Sequence, residues 1–123
     1  MYQTVDVAPS NSLVLVMDRS VGVIPETLGG GLIAATPSCV AVGTREEHDG
    51  ETSISISDEG PPSGVGNHLV FDGVVETPSK VLSVCSVLDD VFLELPVAAQ
   101  KTRVQVWASD SAEPDVLVIV ALP

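Results

Sequence analysis

Residues 45–51, REEHDGE, crowd Glu46, Glu47, His48, Asp49 and Glu51 into one short run. Carboxylates hold hard cations and an imidazole moves protons near neutral pH, so the run has the side chains for a divalent ion site. A calcium loop, however, needs oxygen ligands at fixed alternating positions about a glycine bend, and this run is too short and misses that spacing. A charged turn is the expectation, with no resident metal and no cofactor. A second cluster, SDSAEPD, places Asp110, Glu113 and Asp115 in another polar loop. Hydrolytic chemistry would need a nucleophile, a base and an orienting acid, and only His48 and His68 could supply a histidine base. The chain has no GxSxG, and its GGG at 29–31 is not followed by Lys-Ser or Lys-Thr and makes no GxGxxG. Catalysis and phosphate-loop binding are therefore not expected.

One residue conflicts with its surroundings. In KTRVQVWASD, residues 101–110, the alternation of a strand places Thr102, Val104, Val106 and Ala108 on one side and Lys101, Arg103, Gln105 and Trp107 on the other. The apolar set faces inward, so the chain's one tryptophan faces out. Tryptophan is enriched at binding hot spots, and an exposed indole offers a large apolar contact. Cover by another part of the same chain would equally account for it.

These residues must be carried by strands. Nine prolines and ten glycines divide the chain into short segments, and no segment shows a convincing helical period. TSISIS at 52–57 alternates strictly, with Ile54 and Ile56 inward and the serines expected in water. In HLVFDGVVE the same period sets Leu69, Phe71 and Val75 inward and Asp72 and Glu76 outward. SLVLVM at 12–17 and VLVIVAL at 116–122 are apolar on both faces, as strands covered on both sides are. SCVAVGT, KVLSVCSVL and VFLEL complete the set. Residues 21–37 read as a long connection with one helical turn at 25–28, and residues 58–67 as a loop. About eight strands with turn signals at this spacing predict an all-β, single-domain antiparallel sandwich of two sheets spanning residues 1–123. Its expected core is Leu13, Leu15, Ile54, Ile56, Leu69, Phe71, Val104, Val106 and the closing strand. Cys39 and Cys85, with no CxxC spacing, read as two small buried thiols.

Composition bounds the function. The chain has 123 residues, 45% of them apolar, with aromatics at only 3%, so the core is aliphatic. Five basic residues against 17 acidic ones give a net charge of -12. Such a surface repels nucleic acid and anionic lipid and attracts a basic protein. There is no basic, apolar leader at the start and no apolar run near ~18 residues, so a cytoplasmic protein without membrane contact is expected.

The succession VFLELP, a short turn, KTRVQVW with tryptophan near its end, the acidic SDSAEPD and the closing VLVIV resembles the competence protein J family, inhibitors of a DNA-entry nuclease. The likeness extends upstream through SLVLVMD, GLIAAT and the strand-turn-strand of residues 38–57. The chain departs from it in carrying VIPETLGGG where the family has an Asp-Trp-Thr-like segment. The resemblance implies an all-β intracellular protein that blocks a nuclease or another toxin-like enzyme without catalysis of its own. Carboxylates placed where phosphates would sit offer one way to occupy a basic cleft. The candidate protein-binding residues are Trp107 and Arg103 as anchor and Asp110, Glu113 and Asp115 as the phosphate-like edge. Glu46, Glu47 and Asp49 form a second acidic candidate. Two alternatives stand beside this reading: a small-ligand or divalent-metal sandwich using the acidic loops, and a structural homo-oligomer packed through the Trp107 face.

Overall fold

In the computed structural model, residues 2–26, 31–59, 68–110 and 114–122 are described. They form ten strands: β1 (Tyr2–Val7), β2 (Leu13–Met17), β3 (Ile33–Thr36), β4 (Cys39–Gly43), β5 (Thr52–Ser57), β6 (His68–Glu76), β7 (Val81–Cys85), β8 (Val91–Pro96), β9 (Lys101–Ala108) and β10 (Val116–Leu122). The first sheet runs β1-β5-β10-β9-β6 and the second β3-β4-β2-β7-β8. Among the described residues there is no α-helix, and no helix long and apolar enough to cross a membrane. The all-β sandwich expected from the strand rhythm is present, with β1 and β3 added to the eight strands that the rhythm marks. Pairing is antiparallel throughout except between β5 and β10, which run parallel.

The two runs that are apolar on both faces occupy the centres of the two sheets. β10 lies between β5 and β9, and β2 between β4 and β7. Between the layers sit Ile54 and Ile56 of β5, Val104, Val106 and Ala108 of β9, and Leu117, Ile119 and Ala121 of β10. The second sheet meets them with Val14, Val16, Val40, Val42, Leu82, Val84, Leu93 and Leu95.

Several side chains take the opposite face from the one expected. Leu15 belongs to a smaller cluster with Met17, Cys39, Ala41 and Cys85, against which Leu13 packs half-buried. Val14 and Val16 take the interlayer positions instead, because a strand apolar on both sides carries no polar residue to set its phase. Leu69 is 46% exposed. A bulge between Leu69 and Phe71 breaks the period of β6, so Phe71 and Val75 keep the inward side while Leu69 turns out. Ser55 and Ser57 are buried rather than wetted. Each is a short side chain on β5, flanked by Thr4 and Val118 in one case and by Tyr2 and Val120 in the other. The helical turn expected at 25–28 lies partly outside the described residues, and Pro25 and Glu26 are not helical. The loop expected at 58–67 lies outside them from residue 60 onward.

The second sheet's outer cluster is closed by the chain that leaves β2. Asp18, 1% exposed, accepts hydrogen bonds from Ser20 N and Oγ (2.9 and 2.7 Å) and from Ser79 N and Oγ (2.7 Å each). Burial pushes its carboxyl up, but these donors outweigh it and hold it below the ordinary carboxylate value. A side chain at Gly22 would meet Met17 Sδ, so the methionine would have to move to admit one. Both thiols are free and buried, and loss of hydration pushes Cys39 up to about 12 and Cys85 up to about 11, leaving them protonated and inert near neutral pH.

The bulge makes a measurable distinction. Ile119→Ala, at 0% exposure, is expected to cost about 2–5 kcal/mol, whereas Leu69→Ala is expected to cost under about 1 kcal/mol. Urea unfolding of the two variants checks this. Equal losses would place Leu69 in the core and remove the bulge.

Candidate functional site

Strand β9 carries the site, and its register fixes which way each side chain points. Val106 pairs with Ile119 and Val104 with Ala121, all inward, so the intervening Gln105 and Trp107 face out beside Val120 and Val118. On the other flank, Leu69 of β6 pairs with Trp107 and Asp72 with Gln105. The indole is partly buried in the resulting row of Leu69, Trp107 and Val118.

A polar chain fastens the indole from behind. Trp107 Nε1–H donates to Gln105 Oε1 at 3.3 Å, and Gln105 Nε2 donates to Asp72 Oδ2 at 3.2 Å. Arg103 then closes on Asp72 with two bonds, Nε to Oδ1 at 2.9 Å and Nη2 to Oδ2 at 2.7 Å. This bidentate geometry gives direction to an ion pair that remains in contact with solvent. Hydrogen bonds from Arg103 and Gln105 hold the Asp72 carboxyl down at about 2, outweighing partial desolvation, and Asp72 in turn raises Arg103 above its ordinary value. The tryptophan's one donor is thus satisfied internally, while part of its ring stays at the surface.

Arg103 therefore sits differently from the expected anchor beside Trp107. The two lie four residues apart on one strand, about 13 Å at ~3.3 Å per residue. Arg103 serves Asp72 and acts on Trp107 through Gln105. Asp72 and Gln105 were not among the sequence candidates. They are 33 positions apart and meet only through the β6–β9 pairing, a contact that no local pattern signals.

The two acidic runs converge at the Trp107 end of the sandwich. Arg45 N donates to Pro114 O at 2.9 Å, and Ser53 N to Asp115 O at 2.9 Å, joining the turn that follows β4 to the loop before β10. Within the first, Glu46 carboxylate accepts from His48 N at 2.9 Å, Glu47 N donates to Ser12 Oγ at 3.2 Å, and Arg45 Nη2 donates to Asp49 O at 2.7 Å. In the second, Asp115 Oδ1 accepts from Ser109 Oγ at 2.9 Å, and Ser109 Oγ accepts from the amides of Asp115 and Val116. Asp49, Asp110 and Asp115 are exposed, and Glu46 and Glu47 half-buried; Glu113 lies outside the described residues. Asp6 adds a further carboxylate to this end, since it pairs with Ser53 on the outer face. The ligand atoms of Glu46, Glu47 and His48 lie within 4.8 Å of one another, close enough in principle to share a cation.

No protein-family model matches the sequence, and no curated protein matches it in sequence. Two solved structures share its fold. One is ComJ from Bacillus subtilis, an inhibitor of the DNA-degrading activity of NucA, with a TM-score of 0.67 at 13% identity over 99% of this chain and 94% of that one. The other is the protein of crocagin biosynthetic gene J, with a TM-score of 0.61 at 15% identity over 100% of this chain and 98% of that one. The competence-J-like fold suggested by strand order is thereby shown, at the level of fold.

Asp72 supplies a pH signature. Its folded value near 2 lies below the unfolded value near 3.9, so its contribution is present above about pH 4 and is lost as pH falls toward about 2. The melting-temperature gap between the parent protein and Asp72→Asn is expected to be open at about pH 5 and to close by about pH 2. A gap that does not change with pH would mean that the pair does not form.

Proposed function

We propose that this chain is a single-domain, non-enzymatic, cytoplasmic binding module of the inhibitor or immunity type, directed at a basic nuclease or toxin-like enzyme. The observation that carries the reading is Trp107, held on an outer face by its own polar chain and bordered at the same end by two acidic runs. The partner lays an apolar contact on the row of Leu69, Trp107 and Val118. Asp110, Glu113, Asp115, Glu46, Glu47 and Asp49 then stand where the partner's cationic groups expect phosphates. Arg103 is a positioning residue in this reading, setting Gln105 through Asp72. The fold shared with ComJ, itself an inhibitor of a nuclease, supports the choice of partner class.

The charge argues for the same class of partner. A net charge of -12 accelerates encounter with a cationic surface and works against nucleic acid as a direct ligand. Rim carboxylates act mainly on association rate and salt dependence, whereas a desolvated aromatic anchor acts mainly on dissociation. The two sets of residues therefore have separable kinetic effects.

The test is inhibition of plasmid degradation by a panel of basic nucleases, with binding kinetics at low and moderate salt. Trp107→Ala is expected to weaken a productive complex by about 30-fold, through faster dissociation. Asp115→Asn combined with Glu46→Gln is expected to slow association and to flatten its salt dependence. Absence of inhibition and of binding across the panel at low salt would overturn the reading. So would a Trp107→Ala variant that binds as the parent does.

A further inference from the structure

The strands at the sheet edges differ in how their free main-chain groups are dealt with. β1 and β8 are joined to each other by Gln3 Nε2, which donates to Glu94 O at 2.6 Å, and β8 closes with Pro96. β3 is only four residues long, and the chain that follows β2 is tied to its end: Thr36 Oγ–H donates to Val23 O at 2.6 Å and Val23 N to Ser38 Oγ at 2.9 Å. β6 is the exception. Its nine residues make it the longest of the ten strands, and it carries no proline or lysine, the residues that commonly blunt an edge.

The direction of its hydrogen bonds shows which groups are left over. Thr77 N, just past β6, donates to Gln100 O at 2.8 Å on the β9 side, whereas Glu76 N donates to Pro37 O at 3.0 Å on the other. Successive residues of a strand alternate sides, so Asp72 and Val74 point their N–H and C=O groups the same way as Glu76, away from β9. Among the described residues none bonds these four groups. Pairing with β9, and the Phe71 ring packed so closely over Gly73 that a Cβ there would lie 2.8 Å from it, hold the stretch in strand form before any partner arrives.

Side chains and charge select what can add. Phe71 and Val75 belong to the interlayer side, so Asp72, Val74 and Glu76 stand on the outer face with Leu69 and Trp107. Asp72 is committed to Arg103 and Gln105, which leaves Val74, 57% exposed, and the exposed Glu76 to meet an incoming strand. A second copy paired antiparallel about Val74 would set Glu76 against Asp72 on both sides of the axis and bring together two chains of net charge -12. A cationic strand meets neither obstacle.

We propose that the free edge of β6 accepts an extended segment of a basic partner protein, which joins the first sheet as a sixth strand. Main-chain bonds to Asp72 and Val74 hold it, an apolar side chain of the segment lies on Val74, and a lysine or arginine lies beside Glu76. This rests on the inhibitor reading and deepens it, because the segment runs alongside the strand that supplies Leu69 to the Trp107 row.

The test uses a basic nuclease that the protein inhibits. It reads amide hydrogen exchange by NMR in the parent protein and the affinity of two variants. The Asp72 and Val74 amides are expected to exchange freely in the protein alone and at least about tenfold more slowly in the complex. Val74→Pro removes one donor at an edge position, where proline is tolerated, and is expected to weaken the complex about tenfold or more. Val74→Ala keeps the N–H and is expected to cost about threefold or less. Unchanged exchange at both amides in the saturated complex, or a Val74→Pro variant that melts and binds as the parent does, would overturn strand addition while leaving the Trp107 interface standing. Should Val74→Pro fail to fold, the exchange measurement in the parent decides alone. A dimer of the protein by itself with these amides protected would give the edge to a second copy and overturn the proposal too, and if no nuclease of the panel is bound, it falls together with the inhibitor reading.

Discussion

Everything on the outer face of the first sheet depends on one register, in which Val106 of β9 stands opposite Ile119 of β10. Both residues are fully buried, as are their inward neighbours Val104, Ala108 and Leu117. A slip of one residue would turn that whole set into solvent, so the hydrophobic effect fixes the pairing. With the inner row fixed, the pleat leaves Gln105 and Trp107 no other side. Trp107 thus faces out as a consequence of core packing, and the chain accommodates it with Leu69 and Val118 on either side.

What the register exposes, a polar chain then orients. Arg103, Asp72 and Gln105 form a line of hydrogen bonds that ends on the indole nitrogen. Each member is held by the next, so the indole nitrogen is fixed while the side chain stays only half-buried. The same line takes one of only five basic residues in the chain and neutralises it internally. Backbone bonds from Arg45 N to Pro114 O and from Ser53 N to Asp115 O join the loops at that end, and they bring carboxylates there beside the Arg45 guanidinium, which donates to Asp49 O. The Trp107 row and the acidic runs therefore share one end of the sandwich, with an alanine-lined cavity at the other.

Much of this architecture was legible in the sequence. Strict alternation in TSISIS and KTRVQVW placed Ile54, Ile56, Val104 and Val106, and continuous apolarity placed β2 and β10 at sheet centres. Other features left no local trace. IAAT of β3 is alanine-rich and sits between glycines and Pro37, so its strand character comes from pairing with β4 rather than from propensity. In β1, Gln3 shares the inward side with Val5 and Val7, and the pattern is correspondingly weak. The bulge in β6 inverted Leu69, since a skipped ladder position is invisible to a period-two reading. Asp72 and Gln105 entered the site only through the pairing of distant strands. Trp107 was found because its chemistry conflicted with its face; its partners had no such signal.

The central claim is that the Trp107 face becomes covered when a basic enzyme binds. As Trp107 is the chain's one tryptophan, fluorotryptophan labelling yields a single fluorine NMR resonance that reports on that face alone. Titration with a nuclease that the protein inhibits should shift this resonance and protect it from a neutral soluble quencher, in proportion to complex formed. A resonance that keeps its position and its access to the quencher in the saturated complex would place the interface elsewhere and contradict the account.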